Sequence, residues 1–248
     1  SSTAYGDIDL MINTHTRDVV AKSASIVTTF ADAGPGLTPN TEVAELVAQA
    51  QAKVAPLVNR VVGEAAVDLS RTESPSGESS LGNLIAHAQR AALGTDFAFM
   101  NPGGIRADLS AGPVTYGELF TIQPFGNSLV RMELTGQQVY DVLNQQWANQ
   151  PFPRILKTSG LTYTWDNNRP VGDRIVEVHR NGTPIDRHAT YSVTVNSFMA
   201  AGGDNFTVLL QGRNQVGGPL DLDALITYIQ SLPQPFSAAL EGRIVRVN

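Results

Sequence analysis

Arg106, Phe125, Phe198 and Asp204 are widely separated, yet each belongs to a short segment punctuated by glycine. The segments are Asn101-Pro102-Gly103-Gly104-Ile105-Arg106, Gln123-Pro124-Phe125-Gly126-Asn127, and Ser197-Phe198-Met199-Ala200-Ala201-Gly202-Gly203-Asp204-Asn205-Phe206. Glycine lets the backbone take unusual dihedrals and approach a ligand closely, and loops of this kind concentrate binding side chains. The chemistry they carry is complementary: a guanidinium can fork a phosphate or carboxylate, two rings can lie against a flat ligand, and a carboxylate can accept both hydroxyls of a ribose. Together these are the parts of a nucleotide pocket. Singly, each has a plainer reading. Asn-Pro-Gly-Gly is a turn in its own right, a lone Phe is commonly a core residue, and Asp204 can cap its own turn through an Asx hydrogen bond.

Other chemistries find less support. His15, His87, His179 and His188 are scattered and form no H-x-H or H-E-x-x-H pattern, so a histidine-held metal is not expected in this chain. Asp7-Ile8-Asp9 and Asp221-Leu222-Asp223 are D-x-D pairs, one on an expected strand and one at an expected helix start, where acids suit the dipole. There is no P-loop, no G-x-S-x-G elbow and no G-x-G-x-x-G. The absence of cysteine removes disulfides and thiolate chemistry. Asn181-Gly182-Thr183 and Asn205-Phe206-Thr207 match glycosylation sequons by pattern alone.

Seventeen basic against 23 acidic residues give a formal charge of -6, which argues against extended contact with a nucleic-acid backbone. A small anion needs only local Arg side chains and backbone N–H groups. The 248 residues, 42% of them hydrophobic, can bury a sizeable core, and no apolar run approaches the ~20 residues of a membrane span. Ser1 to Gly6 read as the start of a piece of a longer protein.

The elements that must position these loops can be read from periodicity. Ile8–Ile12 and Ser25–Phe30 read as strands, and Ala33 to Asn40 as a linker, with a domain boundary near residue 35. A helix is expected over 40–62, with Val43, Leu46, Val47, Val54, Leu57 and Val61 on one face. A second runs from Ser80 to Leu93 and stops at Gly94. Asp96 to Met100 reads as a strand, so the loop beginning at Asn101 follows a strand end. Thr115 with Glu118, and Thr135 with Gln138, are capping boxes that start helices; between them lies a strand over Leu129–Leu134. Asn181-Gly182 marks a hairpin turn. Tyr191–Val195 is a strand, Phe206–Leu210 extends again, Asp221 caps a helix carrying Leu222, Leu225, Ile226 and Ile229, and Arg243–Val247 closes as a strand. The irregular alternation predicts an α+β fold, with mixed β-sheets and flanking helices.

In this order the segments resemble the C-terminal domain of the 5'-nucleotidase family, which includes UDP-sugar hydrolases and 2',3'-cyclic nucleotide phosphodiesterases. The likeness rests on Gly77-Glu78-Ser79-Ser80-Leu81-Gly82-Asn83-Leu84-Ile85, Asn101-Pro102-Gly103-Gly104-Ile105-Arg106, Thr115-Tyr116-Gly117-Glu118-Leu119-Phe120 with Pro124-Phe125-Gly126-Asn127, and Phe198-Met199-Ala200-Ala201-Gly202-Gly203-Asp204. It covers the chain from about residue 40 onward.

The resemblance implies a layered α+β domain over residues 36–248, preceded in 1–35 by a short β remnant of a metallophosphoesterase domain. It also implies that Phe125 and Phe198 sandwich a nucleobase, that Asp204 binds the ribose hydroxyls, and that Asn101, Gly104 and Arg106 contact the nucleoside or its phosphate. Arg71 corresponds to a second family arginine, although Thr72 to Gly77 is longer than the pattern expects. The family's chemistry belongs to an N-terminal domain carrying two divalent metals, whose motifs are absent here. The implied role is therefore substrate binding for a secreted, surface or periplasmic hydrolase. Its partners would be a nucleotide or nucleoside and its own N-terminal domain, with no nucleic acid and no cofactor held by this chain. A stand-alone nucleoside-binding module is the alternative.

Overall fold

The computed structural model describes residues 4–29 and 38–248. The expected boundary near residue 35 and the greater part of the linker lie outside them. Two units separate along the chain, Ser1–Ala55 and Pro56–Asn248.

In the first unit β1 (Ala4–Ile12) and β2 (Val19–Thr28) form an antiparallel hairpin. The register sets Gly6 against Ile26 and Ile8 against Ala24, so alternate positions gather Ile8, Leu10, Ile12 and Ile26 on one face, and all four are exposed. Helix α1 (Thr41–Val58) starts where Asn40 Oδ1 accepts the Val43 N–H at 3.1 Å. None of its residues is buried, and Val43, Leu46, Val47 and Val54 stand exposed.

The helix is shorter than its periodicity predicts. Val61 and Val62 belong instead to β3 (Val61–Ala65), which pairs antiparallel with β5 (Gly112–Thr115). Sheet pairing of β-branched residues overrides the helical spacing there.

The second unit is built around a five-stranded sheet. After α2 (Ser80–Leu93), capped by Ser79 and stopped by Gly94, the chain enters β4 (Phe97–Met100). Past β5, the Thr115–Glu118 capping box opens α3 (Tyr116–Ile122), β6 spans Ser128–Thr135, and the Thr135–Gln138 box opens α4 (Gly136–Asn144). Next come β7 (Lys157–Ser159), β8 (Thr162–Asp166), β9 (Ile175–Arg180), β10 (Thr183–Pro184) and β11 (Thr190–Asn196). Asn181-Gly182 turns β9 into β10, as its type demands. Helix α5 (Ser197–Ala200), β12 (Arg213–Leu220), α6 (Asp221–Ser231) and β13 (Ile244–Val247) complete it.

The large sheet has the order β12-β6-β11-β4-β7 and a smaller one β10-β9-β8-β13. Both mix parallel with antiparallel pairs, β11 with β4 and β13 with β8 being parallel. Each face of the large sheet buries its own core. Phe97, Phe99, Met132 and Val193 point into one with Tyr140, Tyr163 and Trp165 from α4 and β8; Met100 joins the other with Leu84, Ile85, Leu225 and Ile229 from α2 and α6. The alternation along β4 is what period two requires, and the α+β expectation holds.

Two expectations need correction. Phe206–Leu210 is not extended: Thr207–Gln211 is a 3-10 turn, with Phe206 and Leu209 both buried at the three-residue spacing such a turn brings to one side. Asp221 does not precede α6 but is its first residue, and its Oδ1 accepts the Leu222 N–H at 2.8 Å.

A polar lock holds the C-terminal segment to α2. Buried Glu78 accepts from Asn83 Nδ2 and from the Glu241 N–H, each at 2.7 Å. Arg243 donates to Thr158 O at 2.6 Å, to Glu241 and to His87 Nε2, while His87 Nδ1 meets Ser159 Oγ at 2.8 Å. Burial, and then the Arg243 charge, hold the His87 pKa below its ordinary 6.5, with Glu241 opposing. The folded chain keeps His87 neutral where the unfolded chain protonates it, so stability should fall as pH drops below about 6.5. In urea unfolding at several pH values, His87→Gln should flatten this slope between pH ~5 and ~7; an unchanged slope would remove His87 as its source. For the first unit the exposures predict that limited proteolysis cuts within 4–55 before 56–248, read by mass spectrometry of the fragments.

Candidate functional site

Strand register brings the three loops together. Because β4 and β11 run parallel, with Val193 opposite Phe97 and Thr194 opposite Ala98, their C-terminal ends lie at the same sheet edge and release the chain at Asn101 and at Asn196-Ser197. Antiparallel β6 places Leu129 opposite Asn196, so its beginning, just after Phe125-Gly126-Asn127, sits at that edge too. Antiparallel β12 sets Leu220 against Ser128, so the chain turns there into α6.

These loops line a cavity of about 480 Å³, within the usual range for small-molecule sites. Asn101, Gly104, Arg106, Phe125, Phe198 and Asp204 all border it, joined by Gly103 and Asn127. Phe125 and Phe198 are 57% and 45% exposed, which removes the plain reading of two core aromatics. Arg71 does not line it. Its Nη1 donates to Ile105 O at 3.2 Å and its backbone N–H to Asp108 Oδ1 at 2.6 Å, beside the segment that carries Arg106.

Each wall is held from behind. Asn196, buried at the end of β11, donates through Nδ2 to Asn101 Oδ1 at 3.0 Å and accepts the Met199 N–H at 2.9 Å. Asn101 Nδ2 then donates to Asp204 Oδ2 at 2.9 Å. This relay spans the first and third loops and fixes the Asn101 amide, since its oxygen must accept and its nitrogen donate. On the other wall the Arg106 N–H donates to Ile122 O at 2.9 Å, tying the first loop to the end of α3. Arg106 Nη1 donates to Gly103 O at 3.2 Å, and its guanidinium lies 5.9 Å from the Phe125 ring centre. Gly126 has φ +62°, a conformation that turns the chain sharply between Phe125 and Asn127.

Asn127 is wedged between two elements. Ser197 Oγ donates to its Oδ1 at 3.3 Å, and its backbone oxygen accepts the Asp221 N–H at 2.8 Å. Burial raises the Asp221 pKa from its ordinary carboxylate value, while hydrogen bonds to Leu222 and Asn127 oppose the shift.

Asn127 and Gly103 belong to the quoted motifs but carried no assigned role, and Asn196 had no signal beyond its place before Ser197. Arg154, whose Nε lies 3.4 Å from Asp204 Oδ1, comes from the stretch between α4 and β7, where the sequence offers no motif. Among the described residues no group of three His, Asp or Glu side chains gathers to hold a metal.

Fold and cavity together define a class: an α+β binding domain that displays loops from the edge of one mixed sheet around an open pocket. Residues 61–211 match the family model described as the 5'-nucleotidase C-terminal domain, and the chain belongs to that family. The endonuclease YhcR of Bacillus subtilis is 41% identical over 243 residues, which cover 97% of this chain and 20% of that protein. The cell wall protein Lmo0130 of Listeria monocytogenes is 32% identical over 234 residues, covering 84% of this chain and 30% of its own length. The crystal structure of a 5'-nucleotidase precursor from Thermus thermophilus superposes with a TM-score of 0.74 at 34% identity, covering 99% of this chain and 50% of that one. The chain thus spans only part of the proteins it resembles.

Gly203 offers a direct check of the third wall. A Cβ added there would lie 2.6 Å from the Phe198 ring and equally close to the Phe198 backbone oxygen, so the clash cannot be relieved by turning the ring alone. Gly203→Ala is expected to cost ~1–3 kcal/mol, as overpacking does, measured as a lower urea midpoint at unchanged slope.

Proposed function

We propose that this chain is the nucleotide-binding portion of a secreted or surface 5'-nucleotidase-type phosphohydrolase. The observation that carries the reading is the convergence of Arg106, Phe125, Phe198 and Asp204 on one cavity, each with the chemistry that one part of a nucleotide requires. The base stacks between Phe125 and Phe198, the ribose hydroxyls bond the Asp204 carboxylate, and Arg106 with Asn101 and the Gly104 backbone receives the phosphate side. Arg71, one residue-contact behind Arg106, adds positive charge to that side without touching the ligand. Stacking contributes ~1–3 kcal/mol per base and tolerates different bases, so the two rings anchor a nucleotide without strongly selecting it.

No chemical step is assigned to this chain. Its described residues offer no metal-holding group, and the two divalent metals expected of the family belong to an N-terminal metallophosphoesterase domain. Residues 1–35 are read as that domain's last strands and linker, and 36–248 as the binding domain. The uncovered apolar face of β1–β2 supports this division, because an isolated two-stranded hairpin is marginal in water. A surface location is supported by the cell-wall designation of the Listeria relative, and no helix among the described residues is long and apolar enough to cross a membrane.

A second reading concerns the substrate. The Bacillus relative is called an endonuclease, which favours a pocket that receives a nucleotide still joined to a polymer. The charge of -6 limits any such contact to a short stretch, since few phosphates could be neutralised.

Calorimetry with AMP, adenosine and a short oligonucleotide tests both. Phe125→Ala and Phe198→Ala should each weaken AMP binding by ~1–3 kcal/mol, and equal affinities in wild type and both variants would dismiss stacking. Oligonucleotide binding tighter than AMP and lost with Phe198→Ala would favour the polymer. The chain supplied with AMP and Mn²⁺ should release no phosphate; release abolished by substitutions within the chain would overturn the division of labour.

A further inference from the structure

Resting on that reading of Asp204, we infer that Arg154 is a positioning residue that presents the Asp204 carboxylate to a vicinal cis-diol. A carboxylate has two oxygens and about four lone-pair sites. Here Asn101 Nδ2 occupies one site on Oδ2 at 2.9 Å, and Arg154 Nε faces Oδ1 at 3.4 Å. One site on each oxygen is left, which is the acceptor pair that two adjacent hydroxyls need. Both side chains of the ion pair are only 18% exposed, so water screens the pair less than it would a surface pair.

Arg154 is itself held in place. Its guanidinium lies 4.6 Å from the Phe152 ring centre, and its Nη1 donates to Gln150 Oε1. Gln150 Nε2 in turn donates to the Asp204 backbone oxygen at 2.6 Å, and Asn205 Nδ2 donates to Asn149 O at 2.9 Å. The 149–154 stretch therefore grips the turn through its backbone and the carboxylate through Arg154. The same stretch braces the backbone where Asp204 and Asn205 both sit at positive φ, 53° and 61°, a conformation that Asp and Asn enter more readily than other non-glycine residues. Without Arg154 the carboxylate keeps Asn101 but can rotate about that single bond.

The test compares adenosine with 2',3'-dideoxyadenosine on the 248-residue chain. Wild type should prefer adenosine by ~10-fold or more, the preference of an ionised acceptor for two donors. Arg154→Gln should reduce that preference by about fivefold or more, with the loss falling on adenosine, and Arg154→Lys should recover part of it. A variant that weakens both ligands equally, or that keeps the full preference, overturns the role of Arg154 while leaving the pocket intact. Wild type that binds both equally overturns instead the ribose role of Asp204, and wild type that binds neither overturns the nucleoside pocket itself. Thermal midpoints of the variants separate lost folding from lost preference: if Arg154→Gln is unfolded, the uncharged Arg154→Met takes its place, and a folded Arg154→Met with unreduced preference decides against the inference.

Discussion

The parallel pairing of β4 with β11 is the constraint on which the candidate site depends. Val193 opposite Phe97 fixes where each strand ends, and a slip of one residue would turn every side chain on the slipped strand to the other face. Phe97 and Phe99 would then leave one core and Met100 the other. The two cores on opposite faces of the sheet therefore enforce the register, and the register puts Asn101 and Asn196 side by side, close enough for Asn196 Nδ2 to donate to Asn101 Oδ1 at 3.0 Å. Burial of apolar surface thus determines the position of polar groups that contribute little to it.

What could be read from the sequence follows how local each interaction is. The two capping boxes, the Gly94 stop and the Asn-Gly hairpin all involve residues within four positions of one another, and all appear as expected. The glycine-bearing loops were legible because dihedral demands leave a mark on residue type. Periodicity failed where two patterns competed: Val61 continues the apolar face of α1 yet pairs in a strand, and the apolar run after Phe206 curls into a 3-10 turn that keeps Phe206 and Leu209 buried. Arg154 was illegible because its partner is fifty residues away and its own segment is irregular. Arg71 shows the opposite case, a residue singled out by motif that supports a wall from behind.

Buried polar groups in this fold include two networks that bear on the site and on the C-terminal segment. One is the relay from Asn196 through Asn101 to Asp204; the other joins Glu78, Asn83, His87 and Arg243 at the C-terminal segment. Such networks are worth keeping only when their members are satisfied. The relay meets that condition through its own side chains and the Met199 N–H of α5, and the second through the Glu241 N–H and the Asn83 and Thr158 backbone oxygens, so each doubles as a tie between elements distant in sequence.

The contact between Gly203 and the Phe198 ring makes that aromatic surface a fixed shelf. Gly203 stands so close to the Cε1 and Cζ atoms of the ring that no side chain fits between them, while Phe198 stays 45% exposed. In the proposed pocket such a shelf would accept any planar ring of similar thickness. Purines and pyrimidines are equally thick, so under the proposed stacking any discrimination among them comes from groups at the rim of the ring, and changes in preference can accumulate there without rebuilding the shelf.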